Sequence, residues 1–492
     1  MNNVRKSCVT AVITLLVSTL ATAAWAATPQ ISVGTLHTIA LKSDGTLWAW
    51  GENSYGQLGD GTRVQKIVPV QIGADPDWTQ ISSGGNHTLA LMSDGSLWAW
   101  GSNTFGEIGD GSSGSNAFKT TPTRIGSDTD WTQISAGGQH SIALKSDGSL
   151  WAWGYNYWGQ LGDGTNGNYT DKLTPTPIGS DTDWVRISAG VGYTLALKSN
   201  GTLWAWGLNS YGQLGDGTNV NKNIPVRIGT DTDWARIAPG HFHTLALKSD
   251  GSLWAWGNNA AGQLGDGTNV DKNTPVRIGT DTNWTRITAG GNHYSIALKN
   301  DGSLWAWGHN LYGQLGDGTN IWRNTPFHIG IDTDWSRIEA SGAWSTLALK
   351  NDGSLWAWGD NRYGTLGDGT TIDKYMPQEI IFHLDFDTDG DSVSDGFDAC
   401  PQAMPIRIAG KTDHWQGLQW VYDNPPLASG DTIRVQSSFA DGPLVFDRAL
   451  AVTLRGGFDC DFTTNSGAPT VIESLTISSA SYAVTIDSIS IE

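Results

Sequence analysis

The chain has 492 residues, a formal net charge of −19 at neutral pH, 63 glycines, 26 tryptophans and only 16% charged residues. So many aromatics exclude a disordered chain, and the acidity argues against a nucleic-acid backbone or an anionic membrane as partner. The length allows two to four domains, and the glycine content points to a β-rich fold with many tight turns.

Residues 1–26 have the layout of a secretory signal. Arg5 and Lys6 precede a mostly apolar run, residues 9–20, and Ala24-Trp25-Ala26 offers a small-x-small cleavage site. The run is shorter than the roughly 20 residues that a spanning helix needs. Cleavage would start the mature chain at Ala27 and leave a formal charge of −21, since Arg5 and Lys6 are lost and no acid goes with them. The expected location is secreted, extracellular or periplasmic, with no membrane span.

Residues 27–382 are organised by a repeat. Leu-Trp-Ala-Trp-Gly occurs seven times, its second tryptophan falling at Trp50, Trp100, Trp153, Trp206, Trp256, Trp307 and Trp358. The mean spacing of about 51 residues is close to that of propellers and solenoids. In the first unit, residues 37–42 alternate in polarity, Ser43-Asp44-Gly45 is a turn signal, and residues 46–50 form a second strand-like run; together they predict a hairpin. A glycine-rich loop, Gly56-Gln57-Leu58-Gly59-Asp60-Gly61, leads to a third strand at 68–72 and a fourth at 78–82. Four short strands per unit without helical periodicity make one propeller blade.

The ends of the array point to a closed ring. After the seventh hairpin a third strand, 377–380, is present, but no Trp-x-x-Ile strand follows. At the N-terminus, Ile31-Ser32-Val33-Gly34 matches Ile81-Ser82-Ser83-Gly84. The expectation is a seven-bladed β-propeller whose closing blade is strand-swapped, the N-terminal segment supplying the outstanding strand and leaving no open sheet edge.

His37-Thr38-x-Ala40-Leu41, then Asp44-Gly45-x-Leu47-Trp48-x-Trp50-Gly51, then Gly56-Gln57-Leu58-Gly59, resemble the RCC1 (regulator of chromosome condensation) repeat, across about 70% of the chain. The resemblance implies an all-β, seven-bladed propeller with a strand-swapped closing blade. Members are mostly interaction platforms. The eukaryotic archetype is a nuclear guanine-nucleotide exchange factor, and a secreted bacterial relative inhibits β-lactamases.

Most repeated residues read as structure. Trp48 and Trp50 stand two apart and so point to one side of their strand, and the linker tryptophans Trp78, Trp131, Trp184, Trp234, Trp284 and Trp335 recur with them. A ring kept at one register in every blade packs between blades. His37, His87, His140 and His243 share a register held elsewhere by Tyr193, Tyr294 and Ser345; blades spread them around an axis, so hydrogen bonding, not a metal, is expected. The Gly-Asp-Gly loops are accounted for by turn chemistry. The positions outside the repeated tryptophan registers are Trp158, Trp322 and Trp344, with Tyr155 and Tyr157 beside the first. Blades 2 and 3 also carry longer insertions, residues 112–120 and 165–173. Loops on a rigid scaffold and Trp or Tyr hot spots make these the candidate partner-binding residues, with local packing as the alternative.

Composition shifts after Phe382. Counting from Asp387, carboxylates Asp387, Asp389, Asp391, Asp395 and Asp398 stand at loop positions 1, 3, 5, 9 and 12, and Val393 offers a carbonyl at 7. That is the spacing of a calcium loop, although Ser392 stands where glycine is usual and Asp398 where glutamate is. The string through Cys400-Pro401 resembles a thrombospondin type-3 calcium repeat, which makes 383–402 a calcium-binding linker. Residues 403–492 carry short β-like runs at 432–435, 451–454, 474–477 and 483–486, and resemble the opening of a parallel β-helix. Cys400 and Cys460 are the candidate disulfide; sequence does not set whether their Cα atoms stand close enough to pair.

No catalytic motif emerges. Gly410-Lys411-Thr412 lacks the leading glycine of a phosphate loop, because Pro405 stands there, and neither His-Glu-x-x-His nor Gly-x-Ser-x-Gly occurs. The expected function is therefore a secreted, non-enzymatic scaffold that binds a protein partner through its loops. A carbohydrate or cell-surface ligand is the alternative, and guanine-nucleotide exchange rests on family analogy alone.

Overall fold

In the computed structural model, the described residues are 28–291, 293–340 and 342–383, with strand segments at 407–409, 432–434, 451–455, 470–478 and 483–491. The expected signal, the calcium loop with Asp387, Asp389, Asp391, Val393, Asp395 and Asp398, and Cys400 and Cys460 lie outside them. No described helix is long and apolar enough to cross a membrane.

Residues 28–383 form seven four-stranded antiparallel sheets, a seven-bladed β-propeller. Blade 1 contains β1 (Gln30–Val33), β2 (His37–Leu41), β3 (Leu47–Gly51) and β4 (Lys66–Ile72). β2 and β3 are nearly all buried, and every face of them meets a neighbouring blade, which is why their side chains are apolar without strict alternation. β4 lies outermost and is largely exposed. The first strands of successive blades neighbour one another around the axis, and β1 also neighbours the first strand of blade 7, Trp335–Ala340.

The ring is closed, but not by a strand swap. The sheet boundary falls one strand away from the repeat boundary read in the sequence: each Trp-x-x-Ile strand pairs with the hairpin that follows it, as Ile81 does with Ala90. The N-terminal strand therefore belongs to blade 1, with Ile31 opposite Ala40. Blade 7 is complete from consecutive strands, Trp335–Ala340, Ser345–Lys350, Ser354–Gly359 and Lys374–His383. Ile31 and Ile380 nevertheless share one apolar cluster across the closing joint, as a closed ring requires.

What crosses the joint is one aromatic ring. In blade 2, Trp78 packs edge-on against Trp98 and Trp100 at 5.8 and 6.3 Å. Aligning Ile31 with Ile81 puts Thr28 where blade 1 needs that tryptophan. Phe382, at the end of blade 7, fills the place, 5.1 Å from Trp48 and 5.7 Å from Trp50. The Lys42 ammonium lies 5.4 Å from the Phe382 ring and 5.7 Å from Trp48, as Lys145 in blade 3 lies 4.8 and 4.7 Å from Trp131 and Trp151.

All seven joints share one design. The second tryptophan of each Leu-Trp-Ala-Trp-Gly is fully buried. Between blades 1 and 2, Trp100 Nε1 donates to the Gln57 carbonyl at 2.9 Å, and Thr88 Oγ1 donates to the same oxygen. Across the closing joint Trp50 Nε1 donates to the Thr365 carbonyl at 2.8 Å, with Thr38 Oγ1 beside it. Trp206 alone of the seven indoles makes no such bond, though it packs in the same place. The indole rests on the loop of the preceding blade at Gly59, whose φ is +81° and whose Cβ would stand 2.7 Å from Trp100 Nε1. The Gly-Asp-Gly loops thus do more than turn: this glycine is the seat of the next blade's indole. The buried histidines add a second belt, His87 Nε2 to Ser141 Oγ at 3.0 Å and His140 Nε2 to Thr194 Oγ1 at 3.0 Å, so the hydrogen-bonding expectation for that register is met. Tyr193 in the same register donates to the His243 carbonyl at 2.6 Å.

The C-terminal strands fall where short β runs were expected, but Ala451–Arg455, Thr470–Ser478 and Ala483–Ile491 pair antiparallel. This corrects the parallel β-helix expectation, which needs parallel neighbours one coil apart.

Two outcomes follow from these joints. Phe382→Ala should lower stability by about 2 kcal/mol in urea unfolding, while Phe382→Trp is tolerated. Burial, reinforced for His37 and His140 by His87, pulls the four histidines from the ordinary 6.5 to about 3. The folded state holds them neutral, so their contribution is present above pH 6.5 and is lost as pH falls from 6.5 toward 3. The urea midpoint should drop across that window, and His87→Gln should make the dependence shallower by up to about 1.4 kcal/mol per pH unit.

Candidate binding surface

Antiparallel pairing places the end of β1, the start of β2 and the end of β3 on one face of the disc, while the β2–β3 turn and the linker after β4 fall on the other. The same division in every blade gives the two faces different chemistry.

The linker face is acidic and internally paired. Lys145 Nζ sits between Trp131 and Trp151 and bonds Asp128 at 2.5 Å and Asp130 at 3.1 Å. Lys198, Lys248, Lys299 and Lys350 repeat this cage. Blade 2 has Met92 at that position.

The opposite face carries the aromatics. The residue before the first glycine of each glycine-rich loop is Tyr55, Phe105, Trp158, Tyr211, Tyr312 or Tyr363, with Ala261 in blade 5. Trp158 therefore belongs to an aromatic register, although not to a tryptophan one, and its role is partly structural. It lies over Gly192 of blade 4, where a Cβ would stand 2.8 Å from Trp158 Cε3. Trp344 shares a second register with Phe242, just before the second strand of the next blade. There Tyr312 packs on Trp344 at 4.9 Å and Tyr211 on Phe242 at 4.9 Å.

The candidate residues form separate clusters rather than one site. Tyr155, Tyr157 and Trp158 come together, with Tyr155 5.4 Å from Trp158, stacked 6.3 Å from Tyr157, and 4.5 Å from Phe105 of blade 2. Tyr157 is 44% exposed. Trp344 is half-buried beside Tyr312, and the Arg362 guanidinium stands 4.8 Å from Tyr312 and 5.5 Å from Trp344, held by Asp360 at 2.6 Å. Trp322 is 50% exposed, 4.6 Å from His309.

Sequence reasoning missed three features of this face. Tyr169, in the blade 3 insertion, is fully exposed at φ +65°, while Gly167 N bonds the Tyr157 carbonyl at 2.9 Å beneath it. Phe242 stacks on its neighbour His241 at 4.0 Å and faces His293 of the next blade at 6.2 Å. Glu107 stands where five other blades have glutamine and blade 7 has Thr365; burial raises its carboxyl above the usual range while Ser102 Oγ donates to it at 2.8 Å. Its signal was the departure of blade 2 from Gly-Gln-Leu-Gly, where Glu107-Ile108 replaces Gln-Leu. Burial also lowers His309 to about 4, with the charge of His293 adding to the effect.

The sequence profile of the RCC1-like domain matches residues 14–333 and 181–396. The chain belongs to the RCC1-like domain family. It is 33% identical over 354 residues to the Arabidopsis thaliana ultraviolet-B receptor UVR8, covering 71% of this chain and 57% of that protein. It is 32% identical over 371 residues to the mitochondrial RCC1 domain-containing protein RUG3 of the same plant, covering 72% and 70%. The chain thus spans little more than half the length of the ultraviolet-B receptor. Among solved structures, human WBSCR16 matches with a TM-score of 0.62 at 24% identity, over 68% of this chain and 95% of that one. Saccharomyces cerevisiae Prp20p matches with 0.60 at 23%, over 72% and 87%. These likenesses establish the fold.

The aromatic face separates packing from presentation. Trp158→Ala should cost about 2 kcal/mol in chemical unfolding because it uncovers Gly192. Tyr169→Ala should stay within about 0.5 kcal/mol of wild type.

Proposed function

We propose that this chain is an exported, non-enzymatic binding platform that docks a protein partner on its aromatic face. The observation that carries the reading is the set of part-exposed ring clusters, Tyr155-Tyr157-Trp158 and Tyr312-Trp344-Arg362, presented on one face of a rigid disc. Tyr, Trp and Arg are the side chains that most often supply binding energy at protein interfaces, and the rigid rings of Tyr and Trp bring large area with little entropy to lose. Proteins of the same fold have protein partners: Prp20p is described with its binding to Gsp1p and histones, and with Kap60. Export is supported by the charge, apolar run and small-x-small site of residues 1–26. The linker 383–402 is proposed to hold calcium through Asp387, Asp389, Asp391, Asp395, Asp398 and the Val393 carbonyl, an all-oxygen donor set matched to a hard cation.

The test is affinity capture with the full chain from the exported fraction of its native host, with calcium and with chelator. The face carries the interaction if Tyr157→Ala combined with Trp322→Ala weakens the captured partner's binding at least tenfold. A linker-face control, Asp231→Asn, should bind as wild type does. Equal binding by the aromatic variant would remove the reading. A calcium-independent thermal transition and no calcium uptake by calorimetry would remove the metal.

A further inference from the structure

One register of the first strands changes character around the ring. The residue before the conserved-register isoleucine is Gln30, Gln80 and Gln133 in blades 1–3, and Arg186, Arg236, Arg286 and Arg337 in blades 4–7. Two of the glutamines, Gln30 and Gln133, link neighbouring first strands. Gln30 Nε2 donates to the Thr79 carbonyl at 2.8 Å, and Gln133 Oε1 accepts from Ile187 N at 2.7 Å. Arginine has no acceptor and cannot replace the second kind of link. Arg186, Arg236 and Arg286 make neither kind of link among the described residues.

Their placement also brings like charges together. Gln133, Arg186, Arg236, Arg286 and Glu339 line one axial cavity of about 210 Å³ between the first strands. Arg186, Arg236 and Arg286 make no hydrogen bond or salt bridge with the described residues. Burial first, and then the charges of Arg286 and Arg186, pull Arg236 below the usual guanidinium range; burial and then Arg337 do the same to Arg286. One carboxylate, Glu339, faces this group. Burial pushes it up to about 7 against the opposing pull of Arg337 and Arg286, so near neutral pH it supplies only part of a negative charge. Among the described residues that line the cavity, three are arginines and one, Glu339, is a carboxylate, in a chain whose net charge is −19.

We propose that the axial channel of blades 4–7 is a binding site for a small tetrahedral oxyanion of the phosphate or sulfate class. Guanidinium forks recognise such oxygens through paired, charge-assisted N–H donors, and forks from successive blades approach the axis from different directions. The cavity of about 210 Å³ has room for one such anion with part of its hydration. Arg186 and Arg236 are solvent-accessible, which leaves the anion a route in. The site lies on the axis, so it stands apart from the aromatic clusters and does not depend on the proposed docking function.

The experiment is calorimetric titration of inorganic phosphate, and separately of sulfate, into the full-length protein at pH 7.5, with sodium chloride of matched ionic strength as the reference. Saturable 1:1 binding of both oxyanions, absent with chloride, is expected. Arg236→Gln combined with Arg286→Gln inserts the residue that blades 1–3 already carry; it should keep the fold by circular dichroism and weaken binding at least tenfold. Glu339→Gln removes the competing carboxylate and should bind about threefold tighter or better. No heat beyond the chloride reference would overturn the proposal. So would oxyanion binding that the double arginine variant leaves unchanged, or weaker binding by Glu339→Gln.

Discussion

The propeller depends on one contact made seven times: an indole laid on the bare backbone of a glycine in the preceding blade. Gly59 under Trp100 and Gly367 under Trp50 leave less than 3 Å for a Cβ, so only glycine admits the ring. The indole N–H then finds a carbonyl within the same loop in six of the seven blades, which removes the cost of burying an unpaired donor. The seat and the donor's partner come from one blade and the ring from the next, so each blade is incomplete alone. This is the near-neighbour coupling expected of repeat folds, bent here into a circle.

A circle built from identical joints has to hide the place where the chain begins and ends. The usual concern is an exposed sheet edge. In this chain each sheet is complete in itself, and the joint between blades 7 and 1 is made from the same indole, Ser or Thr hydroxyl and loop carbonyl as the others. The one missing part is the linker tryptophan of blade 1, where Thr28 stands, and Phe382 supplies an aromatic ring from the far end of the array. The composition of the chain changes immediately after that residue, which is consistent with the propeller ending once its last ring is in place.

Because the joints consume the repeated residues, function is left to positions the joints do not use. These divide by location. Loops on one face carry part-exposed rings, the linkers of the other face hold lysines in Trp-Asp cages, and the axis holds the arginine arc. A rigid frame fixes the distances among these three regions, so each is a preformed surface whose use in binding would cost little conformational entropy.

The number of blades, the strands within each, and the structural role of the tryptophan and histidine registers were legible in the sequence. Periodicity reports them directly: a residue repeated in every blade occupies equivalent environments. Ambiguity began where equivalence stops. Trp158 was read against the tryptophan registers, yet it shares an environment with Tyr55 and Phe105, and only the contact with Gly192 reveals that. The phase between repeat and sheet was also out of reach, since a strand joining two hairpins pairs with either one in a repeating string. Pairing of Ile81 with Ala90 decided it, and with it the mode of closure. The arginines sit about 50 residues apart, each unremarkable in its own strand; convergence on an axis is a property of the closed ring. Local chemistry thus determined the blade, and the geometry of the circle determined which residues from different blades meet.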